Sequence, residues 1–155
     1  MPQVTFIRHA MTRFNARLDD ESIPDSRITQ IGVSQAAKLN NTFDILILSP
    51  LKRTMETYTN SNIKTNKVII SEYFREHMRT PLNFTALEDH SYVESTVEIE
   101  KRIDKAIKYI KMLGLKFDKI GVITHYDFLR HITKRLFGKE LKFRNCDQIT
   151  FHFEL

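Results

Sequence analysis

The chain has 155 residues, 41% of them hydrophobic and 28% charged, with a formal net charge of +5. That is the profile of an ordinary soluble protein, one domain over residues 1–155 around a sizeable core; no apolar run is long enough to cross a bilayer, and no membrane partner is expected. The opening MPQVTFIRHA lacks the pattern of a secretory leader and the lone Cys146 excludes an internal disulfide, so a cytoplasmic protein is expected; the scattered Lys and Arg (densest in KTNK, residues 64–67, and KYIK, residues 108–111) suit an anionic partner without supporting nucleic-acid binding.

Residues 4–8 (VTFIR) read as a strand from their β-branched and aromatic side chains. Thr29 can cap a helix running to about Asn40, with Ile31, Ala36 and Leu39 turned inward. Residues 45–48 (ILIL) form a continuous apolar run of strand length, the mark of a buried parallel strand. Ser49-Pro50 suits a helix start, with Ser as cap and Pro at the first helical position; that helix carries Leu51, Arg53, Thr54 and Thr57. Residues 68–70 (VII) read as a third strand, and the irregular, polar stretch 72–90 as a loop or short helix over a site. A longer helix is expected from about Val93 to Leu113, with Val97, Ile103, Ile107, Ile110 and Leu113 near one face and Gly114 as its stop. Residues 120–124 (IGVIT) are a fourth strand. A helix from near Asp127 to near Gly138 follows, carrying Leu129, Ile132 and Leu136, and residues 149–153 (ITFHF) form an edge strand.

Strands alternating with helices predict an α/β fold with a mostly parallel sheet, whose ligands bind beyond the carboxyl ends of the strands. Arg8-His9 follows the first strand, Ser49 and then Arg53 follow the second, and His125 follows the fourth. Each alone reads as surface polarity or a structural histidine. Together they place two imidazoles and two guanidinium groups at one sheet edge. Phosphoryl transfer needs this combination: forked cations for the oxygens and a nucleophile that is largely neutral near pH 7.

The residues resemble the histidine phosphatase superfamily, which includes the cofactor-dependent phosphoglycerate mutases. Arg8-His9-Ala10 matches its Arg-His-Gly signature, with Thr12 and Asn15 at the family spacing. DSRITQIGVSQA (residues 25–36) resembles its D-x-x-L-T-x-x-G-x-x-Q-A segment, and SPLKRTMET (residues 49–57) its S-x-x-x-R-A-x-x-T segment. FRE (residues 74–76) resembles the L-x-E that carries the acid, VITHYDFLR the V-x-x-H-G segment, and NCDQITFHFE the closing strand. Ala10 stands in place of Gly, Met11 where many members have Glu, and Tyr126 in place of the Gly after the second histidine.

The resemblance implies a phosphoglycerate mutase-like three-layer α/β/α fold with an antiparallel edge strand. It implies a phosphatase in which His9 is the nucleophile and Arg8, Arg53 and His125 hold the phosphoryl oxygens. Thr12 and Asn15 would add hydrogen bonds, and Glu76 would be the proton donor, with Glu72 as the competing carboxylate. No metal or cofactor is implied, and the substrate is a phosphorylated small molecule or phosphoprotein. A mutase, a phosphohistidine phosphatase and a catalytically inactive phosphate-binding module are the alternatives. His77 and His90 are expected to be exposed and Cys146 packed. The spacing of His125, Asp127 and His131 argues against a metal site on one helix face. Oligomeric state is not legible.

Overall fold

The computed structural model describes residues 1–154. Its elements in chain order are β1 (Gln3–Arg8), α1 (Gln30–Ala37), β2 (Thr42–Phe43), β3 (Ile45–Leu48), α2 (Lys52–Thr59), β4 (Lys64–Thr65) and β5 (Val68–Ile70). Two single 3-10 turns (Glu72–Phe74 and Pro81–Asn83) lead to α3 (Thr96–Gly114), β6 (Lys119–Thr124), α4 (Tyr126–Phe137) and β7 (Gln148–His152). Among the described residues no helix is long and apolar enough to cross a membrane.

The main sheet has the order β5-β3-β6-β1-β7. Its first four strands run parallel, and β7 pairs antiparallel with β1 at the edge, as expected from the sequence. Alternate residues of each central strand face opposite layers, the period-two rule of an extended chain. Val4, Phe6, Ile45, Ile47, Ile120 and Val122 join one apolar core with Ile99, Ile103 and Ile110 of α3 and Phe128, Leu129 and Ile132 of α4. Ile7, Leu46, Leu48 and Ile123 join a second with Leu39, Phe43 and, from α2, Met55 and Tyr58. Burial on both faces is why the strands read as unbroken apolar runs.

Several local expectations are corrected. Ile31 and Val97 are exposed rather than inward. In α1 the buried positions are Gly32 and Ala36, because this helix packs close against backbone and only small residues fit. In α3 the buried stripe is Ile99, Ile103, Ala106, Ile110 and Leu113; Val97 lies two residues before Ile99 and so on the opposite face. Gly114 is the last helical residue of α3, and Leu115 caps it. Pro50 precedes α2 instead of opening it: Ser49 Oγ accepts the Leu51 N–H, and the helix begins at Lys52. His77 is buried, its Nε2 bonded to the Glu94 carbonyl. The two-residue strands β2 and β4, which form a small parallel pair, have no sequence counterpart.

Candidate active site

Register sets the site. In the β1–β6 pair Arg8 faces Thr124, and in the β3–β6 pair Leu48 faces Ile123. The residues that follow, His9, Ser49 and His125, therefore leave the sheet at the same edge. The His9 and His125 rings lie 5.3 Å apart, centre to centre. A cleft of about 410 Å³ opens there, lined by Arg8, His9, Thr12, Asn15, Arg53, Glu76, Arg79, Tyr126 and Asp127 among others.

The loop after β1 is pinned group by group. His9 N–H donates to the Thr124 carbonyl at 3.1 Å, and the His9 carbonyl accepts from Asn145 Nδ2 at 3.1 Å. Ala10 N–H donates to Thr57 Oγ1 at 2.9 Å, and Met11 N–H to Gln35 Oε1 at 2.9 Å. The Met11 carbonyl accepts from Thr29 N–H at 2.9 Å. A side chain at position 32 would meet that carbonyl: a Cβ on Gly32 would lie 2.4 Å from it. Thr29, Gly32 and Gln35 of the D-x-x-L-T-x-x-G-x-x-Q-A-like segment thus converge on Met11 backbone, so they hold the loop carrying His9. Asp25 serves the other side, accepting the Lys52 N–H at 2.7 Å at the start of α2, the helix that carries Arg53.

His9 is almost fully buried. Its Nδ1 lies 2.7 Å from the Ala10 carbonyl, an oxygen that can only accept, so Nδ1 carries the proton. Burial, and then the charges of Arg53 and Arg8, push the imidazole pKa well below its ordinary value. The ring is therefore neutral, with the lone pair on Nε2 at the cleft. Arg53 is also buried and donates from Nε to His125 Nδ1 at 3.2 Å and from Nη1 to the Leu82 carbonyl at 3.1 Å. Burial brings its pKa down to about 10, still charged at neutral pH. Arg8 donates from Nη1 to the Phe143 carbonyl at 2.9 Å, and its guanidinium lies 5.0 Å from the centre of the Tyr126 ring. Tyr126 therefore lines the cleft and supports Arg8.

Thr12 and Asn15 bond each other reciprocally: Thr12 N–H to Asn15 Oδ1 and Asn15 N–H to Thr12 Oγ1, both 3.1 Å. Asn145 Nδ2 also donates to Asn15 Oδ1, at 3.2 Å. Asn15 Oδ1 is thus held twice, and both Asn15 and Thr12 line the cleft. Glu76 is buried; Oε1 accepts N–H from His77 (2.9 Å) and Phe128 (2.8 Å), and Oε2 from Asp127 (3.0 Å). It thus caps α4 from outside the helix. Burial, and then the nearby Asp127, push its pKa up against the opposing effect of those bonds. Glu72, the competing carboxylate, is exposed and paired with Arg75 outside the cleft.

His125 is fully buried at the back of the site, its ring against that of His9. Its Nδ1 accepts from Arg53, and its Nε2 lies 2.8 Å from Ser49 Oγ. Burial and Arg53 depress its pKa well below the ordinary value, so the ring is the neutral Nε2–H form, with both nitrogens occupied by protein.

A family model for the histidine phosphatase superfamily, branch 1, matches residues 4–82, just over half of the chain. The chain belongs to the histidine phosphatase superfamily. The matched span includes Arg8, His9, Arg53 and Glu76. Solved structures with the same fold include a mutant of phosphoserine phosphatase from Entamoeba histolytica in complex with phosphoserine. It is 20% identical, with 99% of this chain and 92% of that one covered and a TM-score of 0.74. The protein of an open reading frame from Mycobacterium tuberculosis is 17% identical, covering 99% and 92%, with a TM-score of 0.73. A mycobacterial glucosyl-3-phosphoglycerate phosphatase is 13% identical, covering 97% and 90%, with a TM-score of 0.67. No curated protein matches the chain in sequence.

Histidine phosphatase motifs alone do not reveal Asn145, Arg79 and Asp127. Asn145 orients His9 and Asn15 from the loop before β7; Arg79 and Asp127 line the cleft as an ion pair at 2.5 Å. The only sequence signal for them was position, Arg79 in the polar stretch after β5 and Asp127 just beyond a strand end. His125, Asp127 and His131 do not converge: Asp127 pairs with Arg79 and Arg130, and His131 with Glu100. Cys146 is half-buried against the second core, and burial pushes its thiol up to about 11.

Proposed function

We propose that this chain hydrolyses phosphomonoesters through a phosphohistidine formed on His9. The observation that carries the reading is the fixed tautomer of His9: Nδ1–H held by the Ala10 carbonyl and an unprotonated Nε2 at the cleft beside two arginines. Nε2 attacks phosphorus and the ester P–O bond breaks. Arg8 and Arg53 neutralise charge on the phosphoryl oxygens, and Asn15 and Thr12 add hydrogen bonds. Glu76, whose burial favours the protonated form, gives its proton to the departing alkoxide. It then takes a proton from the water that attacks phosphohistidine, and inorganic phosphate leaves. His125 acts behind Arg53, fixing the guanidinium.

The named activities of similarly folded proteins, phosphoserine and glucosyl-3-phosphoglycerate phosphatases, support hydrolysis over transfer to a second organic acceptor. The test is release of inorganic phosphate from p-nitrophenyl phosphate by wild type and His9→Ala, with an alkaline quench, because the P–N bond of phosphohistidine is acid-labile, and mass spectrometry of the His9 peptide under alkaline handling. Activity and a phosphorylated His9 are expected in wild type alone. Equal turnover in both proteins would sink the reading.

A further inference from the structure

Arg79 is a third guanidinium at the cleft, and it is built unlike the other two. Arg8 and Arg53 are tied to backbone carbonyls of the protein. Arg79 has a fixed backbone but, among the described residues, a side chain with a single partner. Its N–H donates to Asn83 Oδ1 at 3.0 Å, and Asn83 also closes the capping box of the turn at Pro81–Asn83. Its side chain is about half exposed (53%) and, among the described residues, bonds only Asp127 Oδ2, at 2.5 Å.

That bond is exchangeable. The arginine's end of the pair is open to water and the aspartate's only partly, and an ion pair reached by water and salt is screened and contributes little stability. Asp127 also does not depend on Arg79 for its countercharge, since its other oxygen accepts from Arg130 Nη1 at 2.9 Å. Releasing Arg79 leaves Asp127 paired. Position gives the released arginine a target. Asp127 donates its backbone N–H to Glu76 Oε2 at 3.0 Å, so Arg79 stands one residue away from the group that would protonate the leaving alcohol. The part of a substrate beyond its bridging oxygen faces this side of the cleft. A neutral hydroxyl there cannot compete with a carboxylate for a guanidinium; a second oxyanion can, through a charge-assisted fork.

We infer that Arg79 leaves Asp127 to bind a second acidic group on the substrate, and that it sets the specificity of this site for phosphomonoesters bearing a carboxylate or a second phosphate. The inference rests on the phosphatase reading for the placement of the leaving group, so its test uses ligands that do not turn over. Titration calorimetry would measure wild type, Arg79→Ala and Arg79→Lys with three matched phosphonates: hydroxypropylphosphonate, phosphonopropionate and ethylene diphosphonate. Wild type is expected to bind at least one of the two doubly acidic ligands about tenfold more tightly than the hydroxyl ligand. In Arg79→Ala that ratio should fall to within about twofold, and in Arg79→Lys it should fall less, because lysine keeps the charge without the fork. Preference for the carboxylate over the diphosphonate, or the reverse, identifies which oxyanion the site takes. The inference is overturned if no phosphonate binds, if wild type shows no preference, or if the preference survives in Arg79→Ala. Loss of p-nitrophenyl phosphate turnover with the binding preference intact would instead count against the phosphatase reading alone.

Discussion

Arg53 Nε–H donates to His125 Nδ1 at 3.2 Å, and His125 in turn holds Ser49 Oγ through Nε2 at 2.8 Å. The imidazole is a fixed strut between the end of β3 and Arg53, the arginine proposed to neutralise the phosphoryl group. His125→Ala would leave Arg53 Nε without its acceptor in a buried setting, and kcat should fall roughly ten- to a hundredfold. The decisive measurement is the double-mutant cycle. If His125 acts through Arg53, His125→Ala combined with Arg53→Ala should be no slower than Arg53→Ala alone. If His125 also touches the phosphoryl group, the two losses will multiply.

Glu76 holds the start of α4 and is the proposed proton donor, two roles that different variants separate. Its carboxylate accepts three backbone N–H groups, two of them in the first turn of α4. Glu76→Ala should therefore destabilise the fold by about 1–2 kcal/mol, the cost of a lost helix cap. Glu76→Gln keeps one oxygen for these donors but cannot give up a proton. Its kcat on an alkyl phosphate should fall by about a hundredfold or more. On an aryl phosphate, whose leaving group needs no proton, the fall should be several-fold smaller. Equal losses on both substrates would remove Glu76 from the proton-donor role.

His9 and His125 were legible because the strands that precede them are buried on both faces and read as apolar runs ending in polar residues. The preference for Glu76 over Glu72 rests on the Phe-x-Glu resemblance alone, since four residues in an irregular stretch have no periodicity; the fold adds that one carboxylate caps α4 and the other is exposed. Apolarity alone points Ile31 inward, whereas the face of α1 that packs must accommodate Met11 backbone and carries Gly32 and Ala36. The reason for Asp25, Thr29 and Gln35 was likewise hidden. Each bonds the backbone of a segment distant in sequence, and local pattern carries no record of such partners.

Two glycines should lose similar stability to the same substitution yet differ in its effect on the rate. A Cβ at Gly32 would meet the Met11 carbonyl at 2.4 Å, and backbone that is hydrogen-bonded on both sides must shift to admit it. Because that backbone continues from His9, Gly32→Ala should lower kcat about tenfold or more as well as destabilise the protein by about 1–3 kcal/mol. A Cβ at Gly121 would meet the Phe43 ring, also at 2.4 Å, in the second core away from the cleft. Gly121→Ala should cost similar stability by urea denaturation yet keep kcat within about twofold. A catalytic loss in Gly121→Ala equal to that in Gly32→Ala would show that global loosening, not the Met11 contact, governs the rate.

Stability should fall on mild acidification, and the sign follows from which state holds more protons. His9 and His125 have folded-state pKa values well below the ordinary value, so between those values and an unfolded pKa of about 6.5 the unfolded chain binds the extra protons. Stability from these two groups is fully present above about pH 6.5 and is lost below it, by at most about 1.4 kcal/mol per pH unit for each imidazole. Glu76 works the other way. Its folded pKa is raised, so its contribution is present at low pH and is lost as pH rises through that raised value, which partly offsets the histidines in acid. Asp25, whose carboxyl is also raised by burial, acts in the same sense as Glu76, so the urea midpoint should stay nearly level from pH 7.5 to about pH 6.5 and drop from there to pH 5.5, where the two imidazoles outweigh the carboxyls. His125→Asn has no imidazole at that position and keeps an acceptor for Arg53. It should show about half the wild-type slope, whereas a slope unchanged by that substitution would mean that His125 takes up its proton without unfolding the chain.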